Sequence, residues 1–143
     1  MKVLVTTPYE KNSLQGNTVT AKRVVSILLE SGIDAAVLSK DERVVCADVL
    51  IALHARKSAH FIDDFLAMNL TGKVIVYLTG TDLYSDIPNG CEICEKSMEL
   101  ADALVVSQNS SLASVSEKYR SKTVVVHKSI DLPDAVRDDV GTE

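Results

Sequence analysis

Short apolar runs alternate along the chain with longer stretches that mix apolar and polar residues. Residues 74–78 form an unbroken apolar run, which is typical of a strand covered on both faces in the centre of a parallel sheet. Similar runs predict five more strands. The predicted strands are residues 2–6, 35–38, 48–53, 74–78, 103–106 and 123–126.

The mixed stretches have the periodicity of amphipathic helices. In the first of them, apolar residues recur at positions 21, 24, 25 and 28, between a cap at Asn17 or Thr18 and a stop at Gly32. Residues 40–47 are too short and too charged for a helix. The other helices are expected at 56–69 and at 91–101, with 85–90 as a loop. A last helix, capped by Ser110 or Ser111, carries Leu112, Val115 and Tyr119.

Strands that alternate with helices predict an α/β protein. The length of 143 residues and the hydrophobic content of 46% suit one globular domain. We expect a Rossmann-like, doubly wound three-layer sandwich with about six mostly parallel strands. The expected strand order is 3-2-1-4-5-6, which makes strands one and four central neighbours.

Polar residues follow the predicted strands at the edge where open α/β sheets bind ligands. Residues 79–82 follow strand four, and residues 8–17 form an unusually long loop after strand one. In the expected order these two segments face each other across one crevice. Asp82 is a candidate for orienting a substrate hydroxyl or acting as a general base. The alternative is that it caps backbone N–H groups of the following turn.

Three basic or titratable residues, His54, Arg56 and Lys57, follow strand three at the same edge. Arg56 and Lys57 open the predicted helix, where a cation is disfavoured by about 0.3–1 kcal/mol. Cations at an unfavourable helix position, at the edge where ligands bind, favour a functional role, such as binding a phosphate-like anion. The alternatives are that the long side chains only reach into water and that His54 bonds to backbone. The residues after strands five and six, 107–108 and 127–129, are further polar candidates.

Two cysteines, Cys91 and Cys94, have the C-x-x-C spacing of redox and metal sites. Both fall on the apolar stripe of a predicted helix, so we interpret them, and Cys46, as core residues. A zinc site needs about four ligands, and we predict no metal. The loop after strand one has neither a dinucleotide-binding glycine pattern nor a P-loop, and we predict no cofactor.

The charge and hydropathy of the chain limit the kinds of partner that it is expected to bind. A net charge of −5 argues against a broad basic face for nucleic acid. No apolar run approaches the roughly 20 residues that span a bilayer, and the N-terminus does not read as a signal peptide. We therefore expect a cytoplasmic protein.

Five segments occur in an order that resembles a known family. They are GNTVTAKRVVSILLESG, DVLIALHARKSA, VIVYLTGTDLY, SMELADALVVSQ and HKSID. Together they resemble the N-terminal half of family 4 (group 1) glycosyltransferases of the GT-B fold, and more narrowly the selenosugar synthases of selenoneine biosynthesis. The resemblance covers about residues 1–131. Val24 or Val25 stands where this family has tryptophan, and Lys128 where it has glutamine.

The resemblance implies two domains with a cleft between them. Residues 1–130 would be the N-terminal, acceptor-binding domain, and 131–143 a linker or tail towards a missing C-terminal, donor-binding domain. In the narrower family the donor would be UDP-N-acetylglucosamine and the acceptor selenophosphate, and the isolated domain is expected to be inactive. His54 and Asp82 are the candidates for catalysis. The positions that match the family are Gly16, Asn17, Thr20, His54, Arg56, Thr79, Gly80, Thr81, Asp82 and Tyr84.

A second interpretation comes from a different class of protein. The chain could be a non-catalytic Rossmann-like module that binds a ligand or a partner. Such a module would be complete at this length and would need no second domain.

Overall fold

A six-stranded parallel sheet forms the centre of the computed structural model, which describes residues 1–127. All five pairs of neighbouring strands in this sheet are parallel. The prediction of a Rossmann-like α/β fold is therefore confirmed. The predicted tail, 131–143, and the polar candidates Lys128 and Ser129 lie outside the described residues. The strands are β1 (Lys2–Thr6), β2 (Asp34–Leu38), β3 (Val49–Leu53), β4 (Lys73–Tyr77), β5 (Ala103–Val106) and β6 (Thr123–Val125).

Helices cover both faces of the sheet, but their bounds differ from the predicted ones. The second helix begins at Ala59, and the expected loop after strand four instead contains a π-helical turn. The helix expected to carry Leu112, Val115 and Tyr119 is divided in two, because the backbone is not helical at Val115 and Ser116. The elements are α1 (Gly16–Glu30), α2 (Ala59–Met68), the π-helical turn (Asp82–Asp86), α3 (Glu92–Leu100), a 3₁₀ helix (Asn109–Ser114) and α4 (Glu117–Arg120).

The strand order is 2-1-3-4-5-6, so the predicted order 3-2-1-4-5-6 is wrong. Strand β3 pairs with the free side of β1, and Asp48 fixes it there by accepting the Lys2 N–H at 2.8 Å. The helix-free connection, residues 39–48, crosses β1 and buries Val44 in the core on the α2 face. Strands β1 and β4 are thus two spacings apart, about 9–10 Å. The switch point of this order lies between β1 and β3.

The sheet separates two apolar clusters. On one face Ala21 and Val25 of α1 pack on β1, as the helical spacing predicts. On the other face α2 and α3 cover the central strands, with Phe61 and Phe65 fully buried.

The cysteines differ from one another in burial. Cys94 is a core residue, as predicted, and Cys91 is half-buried. The prediction for Cys46 is wrong, because it lies exposed in the helix-free connection, where no helical face packs it against the sheet. Among the described residues, no helix is long and apolar enough to cross a membrane.

We predict that Gly72→Ala destabilises the fold by about 1–3 kcal/mol, because overpacking strains a filled core. A Cβ at this position would lie 2.6 Å from Cε2 and Cζ of Phe65, a ring that is fully buried. Urea unfolding measures the effect, with Gly16→Ala as the matched control. A Cβ at Gly16 meets nothing within 4 Å. Equal stability of the two variants would contradict the packing seen here.

Candidate functional site at the carboxyl edge of the sheet

A fully buried carboxylate, Asp82, joins the loops that follow β3 and β4. Its Oδ2 accepts the N–H of Thr79 at 3.0 Å, while Thr79 Oγ1 accepts the N–H of Asp82 at 3.3 Å. This reciprocal pair is a capping box, which satisfies free N–H groups at the start of a helical turn. The same Oδ2 accepts the N–H of Ala55 at 2.8 Å. The carboxylate therefore holds two neighbouring loops in one arrangement.

The turn after β3 is clamped from both sides of Ala55. Asp82 accepts its N–H, and the buried Ser97 Oγ of α3 donates to its carbonyl oxygen at 2.7 Å. Ser58 fixes the same turn, because its Oγ donates to the carbonyl oxygen of Leu53 and accepts from Thr6 Oγ1. Helix, sheet and loop thus hold this backbone in place.

The clamped turn contains a residue in an unfavourable backbone conformation. His54 has φ 78°, the one positive φ at a non-glycine residue within the part of the chain that the structure describes. The left-handed region costs an L-residue about 1–2 kcal/mol. Such strain persists only where the surroundings fix it, and it concentrates at functional sites. At His54 these surroundings are the hydrogen bonds to the N–H and the carbonyl oxygen of the next residue, Ala55.

The hydrogen bonds of His54 define its protonation. Its Nδ1 accepts the backbone N–H of Lys57 at 3.2 Å, so this nitrogen carries no proton and the neutral ring carries it on Nε2. Asp82 Oδ1 lies 3.3 Å from Nδ1, which favours a charged ring, but burial dominates and lowers the pKa of His54. The contacts of the ring within residues 1–127 are made by Nδ1. No buried side-chain nitrogen or oxygen in that part of the chain lacks a partner, so Nε2 lies at the surface of the site.

Two cations lie beside this histidine, in the turn that precedes α2. The prediction that they open a helix is wrong, because the clamp at Ala55 delays the first helical residue to Ala59. Arg56 Nε donates to Asp86 Oδ2 at 2.9 Å, and this partner raises the pKa of the guanidinium. Lys57 Nζ donates to the hydroxyl of Tyr9 at 3.2 Å. The first loop is therefore tied to the β3 loop.

The predicted residues of the first loop lie around the start of α1. Gly16 is its first residue, and no side chain caps this end of the helix. Asn17 and Thr20 are half-buried on its first turns. Thr18 does not cap the helix, because its hydroxyl is buried against that of Thr7 at 3.0 Å. With β3 between β1 and β4, the first loop borders the β3 loop, and Tyr9 of the first loop contacts Lys57.

The two glycines predicted for the site are not required by the fold. Neither Gly16 nor Gly80 has a positive φ. A Cβ at Gly16 would meet nothing within 4 Å, and one at Gly80 would meet Tyr84 Cδ2 at an ordinary 3.9 Å. Both therefore leave open space beside exposed backbone, where a ligand could approach closely.

The remaining predicted residues line the outer part of the β4 loop. Thr81 is exposed, and Tyr84 is 60% exposed with its hydroxyl 3.3 Å from Ser111 Oγ. Sequence reasoning missed Ser58, Ser97 and Asp86 as supports of the site. No local pattern distinguishes these three residues, because their partners come from distant parts of the chain.

One group in the described residues has the atoms to hold a metal ion. Ligand atoms of His54, Asp82 and Asp86 all lie within 4.8 Å of one another. Each residue already has a partner, namely the Lys57 N–H, the backbone N–H groups of the capping box, and Arg56. The cation Arg56 beside Asp86 also opposes a second positive charge. The arrangement therefore suits hydrogen bonding better than metal binding.

Comparison with known proteins gives no family for the chain. Neither the protein-family models nor the curated proteins include a match to it.

We predict that Asp82→Asn lowers the free energy of unfolding by about 2 kcal/mol or more, because hydrogen bonds to charged groups contribute about 1.5–3 kcal/mol each. The amide would also place a donor against N–H groups that now have an acceptor. Urea unfolding tests this. Asp63→Asn is the control, because Asp63 is an exposed partner of Lys96 at 3.6 Å, and such pairs contribute about 0–1 kcal/mol. Equal effects at the two positions would refute the anchoring role of Asp82.

The stability of the protein should depend on pH through His54. Its folded-state pKa lies below the ordinary value of 6.5 because the ring is buried, so the unfolded chain binds a proton more readily. The free energy of unfolding should therefore fall as pH falls through about 6.5. His54→Asn should lose this part of the dependence, since asparagine tolerates the left-handed region.

Urea unfolding at about pH 8 and about pH 5.5 measures the difference on either side of the ordinary histidine pKa. The control is His60→Asn, because His60 is exposed. An unchanged pH dependence in His54→Asn would contradict the assignment of a neutral, buried ring.

Proposed function

We propose that this chain is the acceptor-binding domain of a GT-B glycosyltransferase. In the full reaction a sugar passes from a nucleotide-sugar donor to a small anionic acceptor. The resemblance points to UDP-N-acetylglucosamine as the donor and selenophosphate as the acceptor. A separate C-terminal domain would bind most of the donor. On this proposal the isolated domain is inactive, because half of the transition-state contacts are missing.

The strained His54 turn is the observation that carries the proposal. Three elements hold it in a conformation that costs free energy, and Nε2 lies at the surface of the site. A fixed donor at the carboxyl edge is suited to an oxygen of an anionic acceptor. Placement beside the β1/β3 switch point supports this further, because ligands of α/β sheets bind in that crevice.

Positive groups around His54 support an anionic ligand. Arg56 engages Asp86 through Nε, and its side chain is 39% exposed, so the guanidinium retains donors for a second partner. Lys57 lies at the same turn. The uncapped start of α1 adds free backbone N–H groups, which favour anions through the helix dipole. Arg56 also offsets the negative charge of Asp86.

The chemical role we assign to this domain is positioning. Both oxygens of Asp82 face donors of the chain, so the residue serves as an anchor rather than as a general base. His54 donates through Nε2 and does not accept a proton in its neutral form. An acceptor that is already an anion needs no deprotonation by the protein.

The alternative is a non-catalytic Rossmann-like module that binds a ligand or a partner. The binding module is favoured by the hydrogen bonds of Asp82, which occupy both of its oxygens. No free base then remains among the residues that we identified at this edge. The two proposals share the anion site and differ in whether a nucleotide sugar is also bound and consumed.

We predict that Arg56→Ala weakens binding of a phosphate-like anion about tenfold, the effect of losing one charge-assisted hydrogen bond of about 1.4 kcal/mol. Calorimetric titration with inorganic phosphate and with selenophosphate measures this. Lys96→Ala is the control, because it removes the same charge from an exposed pair on α3. Unchanged affinity in Arg56→Ala would remove Arg56 from the site.

Gly80→Ala separates the role of the site from that of the fold. The fold has room for the methyl group, so stability should stay within about 0.5 kcal/mol. Anion affinity should fall if ligands approach this backbone. If Gly80→Ala binds the anion normally, the β4 loop is not part of the anion site.

A turnover assay distinguishes the two proposals. Turnover of UDP-N-acetylglucosamine with selenophosphate, by a protein that includes the donor-binding domain, supports the enzyme. Anion binding without turnover supports the binding module.

A further inference from the structure

Cys91 and Cys94 have the arrangement of a reactive dithiol at the start of α3. Cys91 is the N-cap residue, and its Sγ accepts the backbone N–H of Cys94 at 3.4 Å. Cys91 is half-buried, whereas Cys94 is fully buried. A cavity of about 250 Å³, lined in part by Gly90, Cys91 and Met98, opens beside the first thiol. Small molecules can therefore reach Cys91, whereas Cys94 does not line the cavity.

The two thiols have different surroundings, which give them different reactivity. Cys91 Sγ lies at the first turn of α3, where it accepts the Cys94 N–H. Burial raises the pKa of Cys94 well above its ordinary value. Of the acidic groups at the cavity, Glu92 is exposed and Glu95 is paired with Lys118 at 2.7 Å.

The spacing of the two residues is compatible with a disulfide. Positions i and i+3 at the start of a helix bring the Cα atoms within about 5–6 Å, inside the range of about 4.4–6.8 Å that disulfides need. No rearrangement of the sheet is needed to close the bond.

We propose that Cys91 and Cys94 form a redox-active dithiol that exchanges with small disulfides of the glutathione class. The Cys91 thiolate attacks one sulfur of glutathione disulfide, and one glutathione thiolate leaves. Cys94 Sγ then attacks Cys91 Sγ, its proton passes to the departing glutathione sulfur, and the second glutathione leaves as a thiol. The dithiol is oxidised by two electrons, and glutathione disulfide is reduced to two thiols.

Oxidation would also reach the candidate site. Cys94 Sγ donates to Asp82 Oδ1 at 3.8 Å, and a disulfide removes this donor. The carboxylate that fixes Ala55 and Thr79 then loses one of its partners. The backbone amide signals of those two residues should therefore shift on oxidation.

The experiment uses Cys46→Ser protein, because the exposed Cys46 would react by itself. The folded protein is equilibrated with glutathione disulfide, and the remaining thiols are alkylated and counted by mass spectrometry. We expect both thiols to be lost with no glutathione attached. Adding Cys94→Ser should trap glutathione on Cys91, whereas adding Cys91→Ser should leave Cys94 unmodified.

Two results would overturn the proposal. One is a Cys46→Ser protein that keeps both thiols in excess glutathione disulfide, as expected of cysteines that only pack the core. The other is a Cys46→Ser/Cys94→Ser protein that remains free of glutathione. The amide signals of Ala55 and Thr79, recorded before and after oxidation, test the link to Asp82, and unchanged signals would refute that link.

Discussion

The buried carboxylate of Asp82 is the interaction on which the rest of this edge depends. An ionised group that is fully removed from water is stable only where hydrogen bonds replace its hydration. Asp82 receives them from Ala55 and Thr79, residues that follow neighbouring strands. Satisfying the charge therefore fixes both loops at once. The strained residue His54, with φ 78°, immediately precedes Ala55, so the anchor holds the backbone next to the strain.

The strand order decides which groups this anchor brings together. Because β3 lies between β1 and β4, the loop that carries His54 is central and contacts its neighbours on both sides. It meets the β4 loop through Asp82 and the first loop through Lys57 and Tyr9. The order expected from the sequence would have placed strand three at the far edge of the sheet. The candidate site is thus built around His54 rather than across a β1/β4 crevice.

The sequence predicts the strands well because burial on both faces leaves an unbroken apolar run, as at 103–106. It also predicts the buried face of α1, since Ala21 and Val25 repeat at helical spacing. Strand order cannot be predicted from such patterns, because a buried strand has the same apolar pattern whichever strand lies beside it. The exposed Cys46 shows the same limit, since an apolar residue type does not reveal whether an element packs over it.

The site could be located but not assembled from the sequence. Polar residues at strand ends indicated His54, Arg56 and Asp82 correctly as members of one edge. The contacts that define their roles join residues far apart in the chain, such as Ala55 to Asp82, 27 positions on, and Ala55 to Ser97, 42 positions on. Neither the left-handed turn at His54 nor the loss of helix at Arg56 has a local signal. Both follow from tertiary hydrogen bonds.

The central claim is that His54 presents a protonated Nε2 to an anionic ligand. The ¹⁵N chemical shifts of its ring, recorded with and without selenophosphate, test this most directly. The account predicts a neutral ring with the proton on Nε2, and a shift of the Nε2 signal as the anion binds, with the exposed His60 unaffected. A proton on Nδ1, or no response at saturating anion, would contradict it.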